Sequence, residues 1–420
     1  MSVPYSLSTA EAVGRRGFLR LIGVGAAGLA GAALLGCGSE GGSGGATTPP
    51  TKAVIPAATP PAGPPEQKTL RIGHLPITDA SPLLIAHAND IYKQYGLEPE
   101  RPTLFRSWAQ IAEAFQAKQV DVVHLLMPMA ISLKFGQNVP LKIVAWNHEG
   151  GSALTVRPEI NSVADLNGKT VAIPFPHSIH NIVLQMLLRD ANLKPIVTGD
   201  PTPGSVKLVV MNPPDMPPAL ANGSIQGFIV ADPFNAVAEV NKIGKILRFV
   251  PDVWYRHACC VVVMHEDDVK NKPNWAQSVI TSVAQAQVFA RENRAEAARL
   301  LSADGGNYLP QPRAAIERAL THYDINEYGP TGAIKHADWG SQRIDFEPFP
   351  YPTYTAELVR AMKETVIDGD QSFLTNLDPA AAHSQVVDDR FARAAIAAVG
   401  GAAKFGIDAS LTRTERISVK

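Results

Sequence analysis

Strand-like and helix-like segments alternate along the chain from about residue 70 to residue 264, and this alternation constrains the fold more than any other feature of the sequence. A strand predicted at Leu70–Gly73 precedes a helix that begins at Ser81, and one at Val206–Met211 precedes a short helix at Met216–Asn222. Such alternation favours parallel sheets covered by helices, with ligands beyond the carboxyl ends of the strands. The sequence therefore predicts an α/β protein.

Capping residues mark where the helices begin. One helix is predicted from Ser81, its N-cap, to Tyr95, with Gly96 ending it. Ser107 forms a capping box with Gln110 ahead of a second helix. Further strands are predicted at Val120–Leu126, Lys142–Trp146, Ser152–Val156, Thr170–Ala172, Gly227–Val230 and Ala258–Met264, and further helices at Ser162–Lys169, Ile182–Asp190, Pro233–Asn241, Asn274–Leu301 and Arg313–Tyr323.

Composition bounds the class of protein. The chain has 420 residues, of which 45% are hydrophobic and 18% charged, so it can bury a large core and form two or more domains. A formal net charge of −1 with scattered Lys and Arg gives no basic stripe, which argues against nucleic acid as a partner. The three cysteines, Cys37, Cys259 and Cys260, exclude a network of long-range disulfides.

The first 68 residues are predicted to contain an export signal followed by a linker. Gly14–Arg20, the uncharged run that follows and Cys37 together resemble a twin-arginine lipoprotein signal at 1–37, in which the cysteine thiol is acylated. The run is too short and too glycine-rich for a comfortable membrane span, although a simple anchor helix is the alternative. Residues 38–68, rich in Gly, Ser, Thr, Ala and Pro, are predicted to be a disordered linker ahead of a folded part that begins near Thr69.

The segment Ile173–Asn181 is predicted to be a ligand-binding loop between a strand and a helix. Ser178 can cap the helix, and the N–H groups of the first turn then suit an anion or a polar carbonyl. The alternative is an ordinary strand-to-helix connection with two surface histidines, His177 and His180.

Four segments together resemble one family: Gly73–Pro82, Asp121–Ala130, Ile173–Asn181 and Ala231–Ala236. In order and spacing they are similar to the solute-binding proteins of ABC importers, in the group that handles nitrate, bicarbonate, sulfonates and thiamine precursors. The resemblance runs through most of the chain after Leu70. It implies a two-lobed periplasmic-binding-protein type II fold, with mixed, mainly parallel sheets and a hinge of two strands.

The resemblance also implies how the chain is divided. Lobe 1 would comprise 69–155 and 257–420, the latter including the C-terminal helices, and lobe 2 would comprise 156–256. The two crossings are expected near Ala153–Arg157 and Tyr255–Cys259. The implied function is an extracytoplasmic binding component, a monomer without cofactor or metal, that captures a small solute between the lobes. Its partners would be an ABC permease and ATPase, and lipidated Cys37 would anchor it to the outer face of a bacterial membrane.

Candidate ligand contacts follow from the matching segments. In the nitrate-binding branch, a tryptophan resembling Trp108 and a histidine resembling His180 contact the ligand. Each has a structural alternative, because Trp108 lies in an amphipathic stripe and His180 can cap or pack. The full candidate set is Pro76, Thr78, Asp79, Trp108, Met127, Pro128 and Met129 from the first lobe, Ser152 at the crossing, His177, Ser178, His180 and Asp232 from the second lobe, and the pair Cys259 and Cys260.

Two departures from the nitrate and bicarbonate branches affect the choice of solute. Where those branches tend to carry an amide and charged side chains, this chain has Ser152 and the uncharged run Ala258–Cys260. A site lined by Trp108, Met127 and thiols suits a larger, partly apolar ligand. The expected solutes are therefore a sulfonate, a carboxylate or a heteroaromatic precursor, with a nitrate- or bicarbonate-like anion still open.

The vicinal cysteines have three interpretations. Cys259 and Cys260 can be buried thiols that pack as small apolar residues, a strained disulfide that stacks on a ligand, or a metal site with His257 or His180. Adjacent side chains of a strand point to opposite faces, which argues against both thiols binding one ion without a bulge.

An enzyme is the alternative class. A thiamine-pyrimidine synthase shares the fold superfamily and has a cysteine-rich motif, which His257–Cys260 matches only in part. A Ser-His-Asp elbow, a metalloprotease helix and a phosphate loop are all absent from the sequence. The expectation is therefore binding without bond chemistry, in a transporter component or in a ligand-sensing lipoprotein.

Overall fold

The computed structural model describes residue 55, residues 58–59, residues 61–340 and residues 342–420. The predicted export signal at 1–37, its lipidation site Cys37 and most of the predicted linker at 38–68 lie outside these residues. The described end of that linker is ordered: the Glu66 carboxylate accepts hydrogen bonds from the backbone N–H groups of Asn274 and Trp275, at 3.1 and 2.8 Å. The folded part thus begins before the predicted boundary at Thr69, because Glu66 caps a helix far along the chain.

The described strands are short. In chain order they are β1 (Thr69–Leu70), β2 (Ile72–His74), β3 (Glu98–Pro99), β4 (Thr103–Leu104), β5 (Val122–Leu126), β6 (Leu141–Trp146), β7 (Glu149–Gly150), β8 (Ser152–Val156), β9 (Thr170–Ile173), β10 (Lys194–Ile196), β11 (Ser205–Val210), β12 (Gly227–Ala231), β13 (Lys245–Phe249), β14 (Cys260–His265) and β15 (Ile344–Asp345).

The helices become denser toward the C-terminus. They are α1 (Ser81–Ala88), α2 (Ile91–Gln94), α3 (Trp108–Gln116), α4 (Met127–Gly136), α5 (Ile179–Asp190), α6 (Met216–Ala221), α7 (Phe234–Val240), α8 (Glu266–Asn271), α9 (Pro273–Glu292), α10 (Arg294–Leu301), α11 (Arg313–Thr321), α12 (Ile325–Tyr328), α13 (Pro352–Lys363), α14 (Ser372–Thr375), α15 (Pro379–Val386) and α16 (Arg390–Ala398). None of them combines the length and the apolar character that a membrane span requires in this part of the chain.

Two mixed sheets organise the described chain. One has five strands in the order β4-β2-β5-β14-β6, and the other has six in the order β10-β11-β9-β12-β8-β13. In each sheet the strands on one side run parallel, whereas β14 and β8 are antiparallel to both of their neighbours. Strands β5 and β14 are buried along their whole length, since helices cover both faces of the sheet, which explains their unbroken apolar runs.

Part of the C-terminal region covers the five-stranded sheet, whereas α11 packs against α7 and the ring of Tyr328 meets that of Phe249 in β13. Helices α15 and α16 both contact β6, and α16 packs against the long helix α9. In the six-stranded sheet, α5 and α7 both contact β12. The α/β class and the alternation of strands and helices are therefore confirmed.

Helix starts were predicted better than helix lengths. Ser107 and Ser178 both cap helices, accepting hydrogen bonds from the N–H groups of Gln110 and Asn181 at 3.2 and 3.1 Å. The continuous helix predicted from Ser81 to its end before Gly96 is wrong. The chain has φ of 56° at Asp90, a left-handed conformation that interrupts a right-handed helix and separates α1 from α2.

Ser81 is also misplaced in the prediction. It is the first helical residue and not the cap, because a 3₁₀ turn at Thr78–Ala80 already precedes it. Its hydroxyl donates to the carbonyl oxygen of Thr78. The helical conformation therefore starts three residues earlier than the sequence signal places it.

The chain passes between the two sheets twice. It leaves β6 and enters β8 through residues 147–151, and it returns from β13 to β14 through residues 250–259. The predicted crossing at Tyr255–Cys259 lies in the returning connection. The crossing predicted at Ala153–Arg157 is wrong, because those residues up to Val156 form β8 inside the six-stranded sheet.

A glycine pair explains where the outward crossing lies. Gly150 and Gly151 have φ of +71° and +77°, and a Cβ at Gly150 would lie 2.9 Å from the carbonyl oxygen of Arg343. Only glycine fits this close, left-handed passage without strain. The two connections also contact each other: the Gly150 N–H donates to the His257 carbonyl at 3.0 Å, and the Arg256 guanidinium pairs with Glu149 at 2.6 Å.

Buried histidines make the fold sensitive to acid. His74, at the end of β2, is 1% exposed, and its Nδ1 lies 2.9 Å from the Leu75 carbonyl oxygen. Burial lowers the pKa of His74 from 6.5 to about 4. The unfolded chain therefore takes up a proton between these values that the folded chain does not. The stability that neutral His74 contributes is complete above pH 6.5 and is lost as the pH falls toward 4.

We expect His74→Gln to flatten this acid loss of stability. The wild type should lose up to about 1.4 kcal/mol of unfolding free energy per pH unit through this one group as the pH falls below 6.5. Urea unfolding from pH 7.5 to pH 4.5 measures the slope. The control is His322→Gln, at a partly exposed histidine that pairs with Glu327. Equal slopes in wild type and His74→Gln would contradict the expectation.

Candidate functional site

Buried polar side chains collect where the chain passes between the two sheets. We call them the junction cluster, and each of them is 0% exposed: Thr78, Asp79, Asn147, His148, Ser152, His180, Asp232, Cys259 and Cys260. Seven of the nine belong to the candidate ligand contacts predicted from the sequence. Such a concentration of buried polar groups is unusual away from a functional site.

Strand ends and helix starts place these side chains. Thr78 lies in the 3₁₀ turn after β2, and His180 lies in the first turn of α5, directly after β9 and its loop. Ser152 is the first residue of β8, and Cys260 is the first residue of β14. The ends of strands from both sheets thus face one another, which is where α/β proteins bind ligands.

Asp79 and His148 form a buried pair. His148 Nε2 lies 3.0 Å from Asp79 Oδ2, and the backbone N–H of Cys260 points at the same nitrogen at 3.1 Å. The Asn147 side-chain amide donates to the Asp79 carbonyl oxygen. Burial raises the pKa of Asp79 to about 7 against the opposing effect of His148. Burial by itself would lower the pKa of His148, but Asp79 and Cys259 raise it to about 9.

The vicinal cysteines are free thiols with converging sulfur atoms. The Sγ atoms of Cys259 and Cys260 are 3.5 Å apart, compared with about 2.0 Å in a disulfide. The interpretation of the pair as a disulfide is therefore not what the structure has. The expectation that the two side chains diverge is also wrong, because Cys259 precedes β14 and does not share the strand's alternation.

The two thiols differ in their ease of ionisation. Burial by itself would raise the pKa of Cys259, but the Cys260 thiol and the side chains of His180 and His148 together hold it well below its ordinary value. Burial and the neighbouring Cys259 raise the pKa of Cys260 well above the ordinary value. Cys259 is thus the thiol that ionises more easily.

His180 connects the thiols to the six-stranded sheet. Its Nε2 lies 2.9 Å from Ser152 Oγ and 3.8 Å from Cys259 Sγ. Its Nδ1 is buried and has no hydrogen-bond partner in the described chain. His180 is therefore a helix-start side chain that points into the junction cluster, and not a cap of its own helix.

The carboxylate and the carbonyl oxygen of Asp232 both accept hydrogen bonds from other residues of the protein. Its carboxylate receives two hydrogen bonds from the Arg343 guanidinium, at 2.6 and 2.9 Å, and one from the Ala236 N–H at 3.2 Å. Its carbonyl oxygen accepts hydrogen bonds from the N–H and the hydroxyl of Thr78, at 2.8 and 3.1 Å. Two predicted ligand contacts, Thr78 and Asp232, are thus joined to each other, and they bring the end of β2 next to the end of β12.

Residues of the predicted loop at Ile173–Asn181 also line a cavity outside the junction cluster. Ser178 Oγ donates to the Phe175 carbonyl at 2.7 Å in addition to capping α5. His177 is half-buried and meets the ring of Phe373 edge to face. His177 and Phe175 line a cavity of about 290 Å³ together with Met129 and residues 367–370.

The remaining predicted contacts are buried in other surroundings. Trp108 is 2% exposed in the apolar core, with its indole Nε1 lacking a partner among the described residues. The carbonyl of Pro76 accepts from Gln311 at 3.0 Å, and Pro128 lies in the first turn of α4. Met127 approaches the junction cluster through its N–H, which donates to the Cys259 carbonyl at 3.0 Å.

The sequence reasoning missed Asn147, His148 and Arg343. The first two directly follow the strand predicted to end at Trp146, so their position at a carboxyl strand end was a usable signal. Arg343 had no such signal, because it lies 111 residues from Asp232 and outside any predicted element. His124 and His257 are further buried histidines near the cluster; the rings of His124 and His148 are 6.0 Å apart.

The comparisons with known proteins decide the family. Residues 63–302 match the NMT1-like family, which is more than half of the chain. The chain belongs to the NMT1-like family. Among its relatives, the nitrate/nitrite binding proteins NrtA of Nostoc sp. and Synechococcus elongatus are each 26% identical, over 341 and 355 residues, covering 75% and 77% of this chain and 75% and 76% of those proteins.

Solved structures show the fold of this NMT1-like protein. NrtA from Synechocystis superposes with a TM-score of 0.69 at 18% identity, covering 84% of this chain and 94% of that chain. A zinc-bound ligand binding component of an ABC-type import system from Staphylococcus aureus gives 0.61 at 22%, covering 78% and 99%. The alkanesulfonate-binding protein SsuA of Xanthomonas axonopodis gives 0.52 at 18%, covering 72% and 96%. The predicted periplasmic-binding-protein fold is confirmed.

We expect Arg343→Met to destabilise the protein by about 3–5 kcal/mol, because it leaves the Asp232 carboxylate buried and unpaired. Urea unfolding at pH 7 measures this loss. The matched control is Arg360→Met, which removes an exposed pair with Glu357 and should cost about 1 kcal/mol or less. A loss for Arg343→Met no larger than that of the control would contradict a role of this ion pair in stability.

Proposed function

We propose that this NMT1-like protein is the extracytoplasmic substrate-binding component of an ABC importer, and that it holds a small solute between its two sheets. The observation that carries the proposal is the junction cluster, which gathers buried polar side chains from both sheets at the ends of their strands. A solute bound there contacts both halves at once. The names of the related proteins, which are nitrate/nitrite binding proteins and import proteins, support a binding function.

The proposed partners are an ABC permease and ATPase. The nitrate import ATP-binding protein NrtC of Synechocystis is 25% identical over 247 residues, covering 54% of this chain and 36% of that protein. The bicarbonate transport ATP-binding protein CmpC of Synechococcus elongatus is 24% identical over 273 residues, covering 60% and 40%. These relatives support a place in an import system. The export signal and a lipid anchor at Cys37 complete the proposal, with a monomer held at the extracytoplasmic face of a bacterial membrane.

The two sheets, each with its covering helices, would act as two lobes. Thr78 and Asp232 join them through two hydrogen bonds. The Gln185 side chain in α5 makes a second link, since it both donates to and accepts from the backbone of Val366, at 2.7 and 2.9 Å. Separation of the lobes breaks these bonds, and a solute that contacts both lobes favours the closed arrangement.

The proposed solute is an organic molecule with a polar head, such as a sulfonate, a carboxylate or a heteroaromatic compound. The junction cluster contains no Lys or Arg, so hydrogen bonds, including those of helix-start N–H groups, would hold the polar head of the solute. Ser152 and His180 supply hydrogen-bonding groups. The cavity lined by Met129, Phe175 and His177 offers apolar surface on the same side of α5 as its capped start. The proposed activity is binding alone.

A thermal-shift screen with sulfonates, carboxylates, nitrate, bicarbonate and pyrimidines tests the function. The right solute should stabilise the fold by about 2.7 kcal/mol at 100 times its Kd, and so raise the Tm. No shift with any compound of these classes at millimolar concentration would count against a solute-binding function. Conversion of a compound into a product would place the protein among enzymes instead.

We expect Ser152→Ala and His180→Gln each to weaken solute binding about 10-fold or more, because an unmet buried partner costs about 1–3 kcal/mol. Calorimetric titration measures the Kd. Ser282→Ala is the matched control, since Ser282 is also fully buried but only donates to Ser278 inside α9. Unchanged affinity in both junction variants would reject these residues as contacts while leaving the function itself open to the screen.

A further inference from the structure

Four side chains of the junction cluster have the composition of a metal site. Asp79, His148, Cys259 and Cys260 each offer one ligand atom, and these four atoms all lie within 4.8 Å of one another. The set is two sulfurs, one imidazole nitrogen and one carboxylate oxygen, and all four side chains are fully buried. Sulfur and imidazole ligands select zinc over magnesium or calcium, which prefer oxygen.

The distances fit a tetrahedral ion after small shifts. Two thiolates with Zn–S bonds of about 2.3 Å lie about 3.8 Å apart at the tetrahedral angle, and the present Cys259–Cys260 sulfur separation is 3.5 Å. An imidazole nitrogen and a carboxylate oxygen on one zinc lie about 3.4 Å apart. The His148–Asp79 separation is 3.0 Å. Outward movements of a few tenths of an ångström open both pairs to the ion, and the longer separations within the set, up to 4.8 Å, shorten by about 1 Å to meet it.

Unmet polar atoms point to the same place. Asp79 Oδ1 is buried without a hydrogen-bond donor among the described residues, while Oδ2 faces His148 Nε2 at 3.0 Å. His148 Nε2 faces the Asp79 carboxylate on one side and the Cys260 N–H on the other, and it cannot donate to the first while accepting from the second. Buried groups in this state are costly, and a cation bound by the carboxylate and the imidazole relieves both.

We propose that Asp79, His148, Cys259 and Cys260 together bind one zinc ion. Binding displaces the protons that the four ligand groups hold, which leave to solvent or buffer, and the ion with two thiolates, one carboxylate and one neutral imidazole carries a net charge of −1. His180 Nε2, 3.8 Å from Cys259 Sγ, lies where an N–H can donate to that thiolate. The hydrogen bond from His180 would offset part of the net negative charge of the zinc site.

The ion would have a structural role beyond the proposed solute binding. Asp79 follows β2, His148 lies in the outward connection at 147–151, and the cysteines end the returning connection. One ion therefore ties both crossings to the five-stranded sheet. Four protein ligands complete a tetrahedral zinc site and leave no open position for a solute. The solute contacts proposed at Ser152 and His180 lie beside this site.

Zinc stoichiometry and cobalt spectroscopy test the proposal on the whole protein. Protein reduced, stripped with a chelator and given one equivalent of zinc should retain one zinc per chain after dialysis. Cobalt(II) in its place should give the thiolate-to-metal absorption of a tetrahedral site. Zinc should also raise the Tm and shield Cys259 and Cys260 from alkylation, with or without any solute. Failure to retain zinc in folded wild type, or a Cys259–Cys260 disulfide in zinc-treated protein, would overturn the proposal.

Variants separate this site from adventitious thiol binding. Cys259→Ser, Cys260→Ser and the near-isosteric Asp79→Asn should each weaken zinc binding by about 100-fold or more, beyond the 10–100-fold typical of outer-sphere changes. Each variant retains Cys37, which controls for binding there. His265→Asn, at a buried histidine stacked on Phe115 at the far end of β14, should bind zinc as wild type does. Circular dichroism confirms folding. Full zinc retention by folded Asp79→Asn, Cys259→Ser and Cys260→Ser would overturn the assignment.

Discussion

The buried ion pair between Arg343 and Asp232 is the interaction on which the junction between the two sheets depends. Both side chains are fully buried; Arg343 supplies the countercharge of Asp232 and itself pairs with Glu239 as well, at 2.8 Å. The backbone repeats the connection: the Asp232 N–H donates to the Gly151 carbonyl at 2.8 Å, and the Gly151 N–H donates to the Arg343 carbonyl at 2.7 Å. The end of β12, the outward crossing and the segment before β15 are thereby held at one point.

The polar groups of the junction divide into those that the protein satisfies and those that it leaves unmet. Thr78, Asp232 and Arg343 have partners on every side, so they hold the sheets together and are unavailable to a ligand. Asp79 and the free ring nitrogens of His148 and His180 have unmet hydrogen-bonding capacity in the described chain. The second group can therefore bind a ligand. It includes His180, a proposed solute contact, and Asp79 and His148, two of the proposed zinc ligands.

The comparisons and the geometry constrain function to different degrees. Membership of the NMT1-like family and the periplasmic-binding-protein fold of the superposed structures support a binding role, whereas relatives at 26% identity leave the solute open. The side chains at the junction narrow the range of solutes, since the cluster contains thiols, a serine and histidines but no Lys or Arg. The same thiols converge with Asp79 and His148.

The sequence by itself determined the α/β class, the capped starts of α3 and α5 and most of the strands, because these depend on local periodicity and on side chains that bond to nearby backbone. It also identified Asp79, His180 and both cysteines as candidate site residues. Only the tertiary structure decided what these residues contact. Asp79 meets His148 across 69 positions of sequence and Asp232 meets Arg343 across 111, and no local pattern encodes such pairings. Packing likewise decided the position of the outward crossing. The Arg343 carbonyl oxygen lies so close to Gly150 that a residue with a Cβ would clash there, and this contact exists only in the tertiary structure.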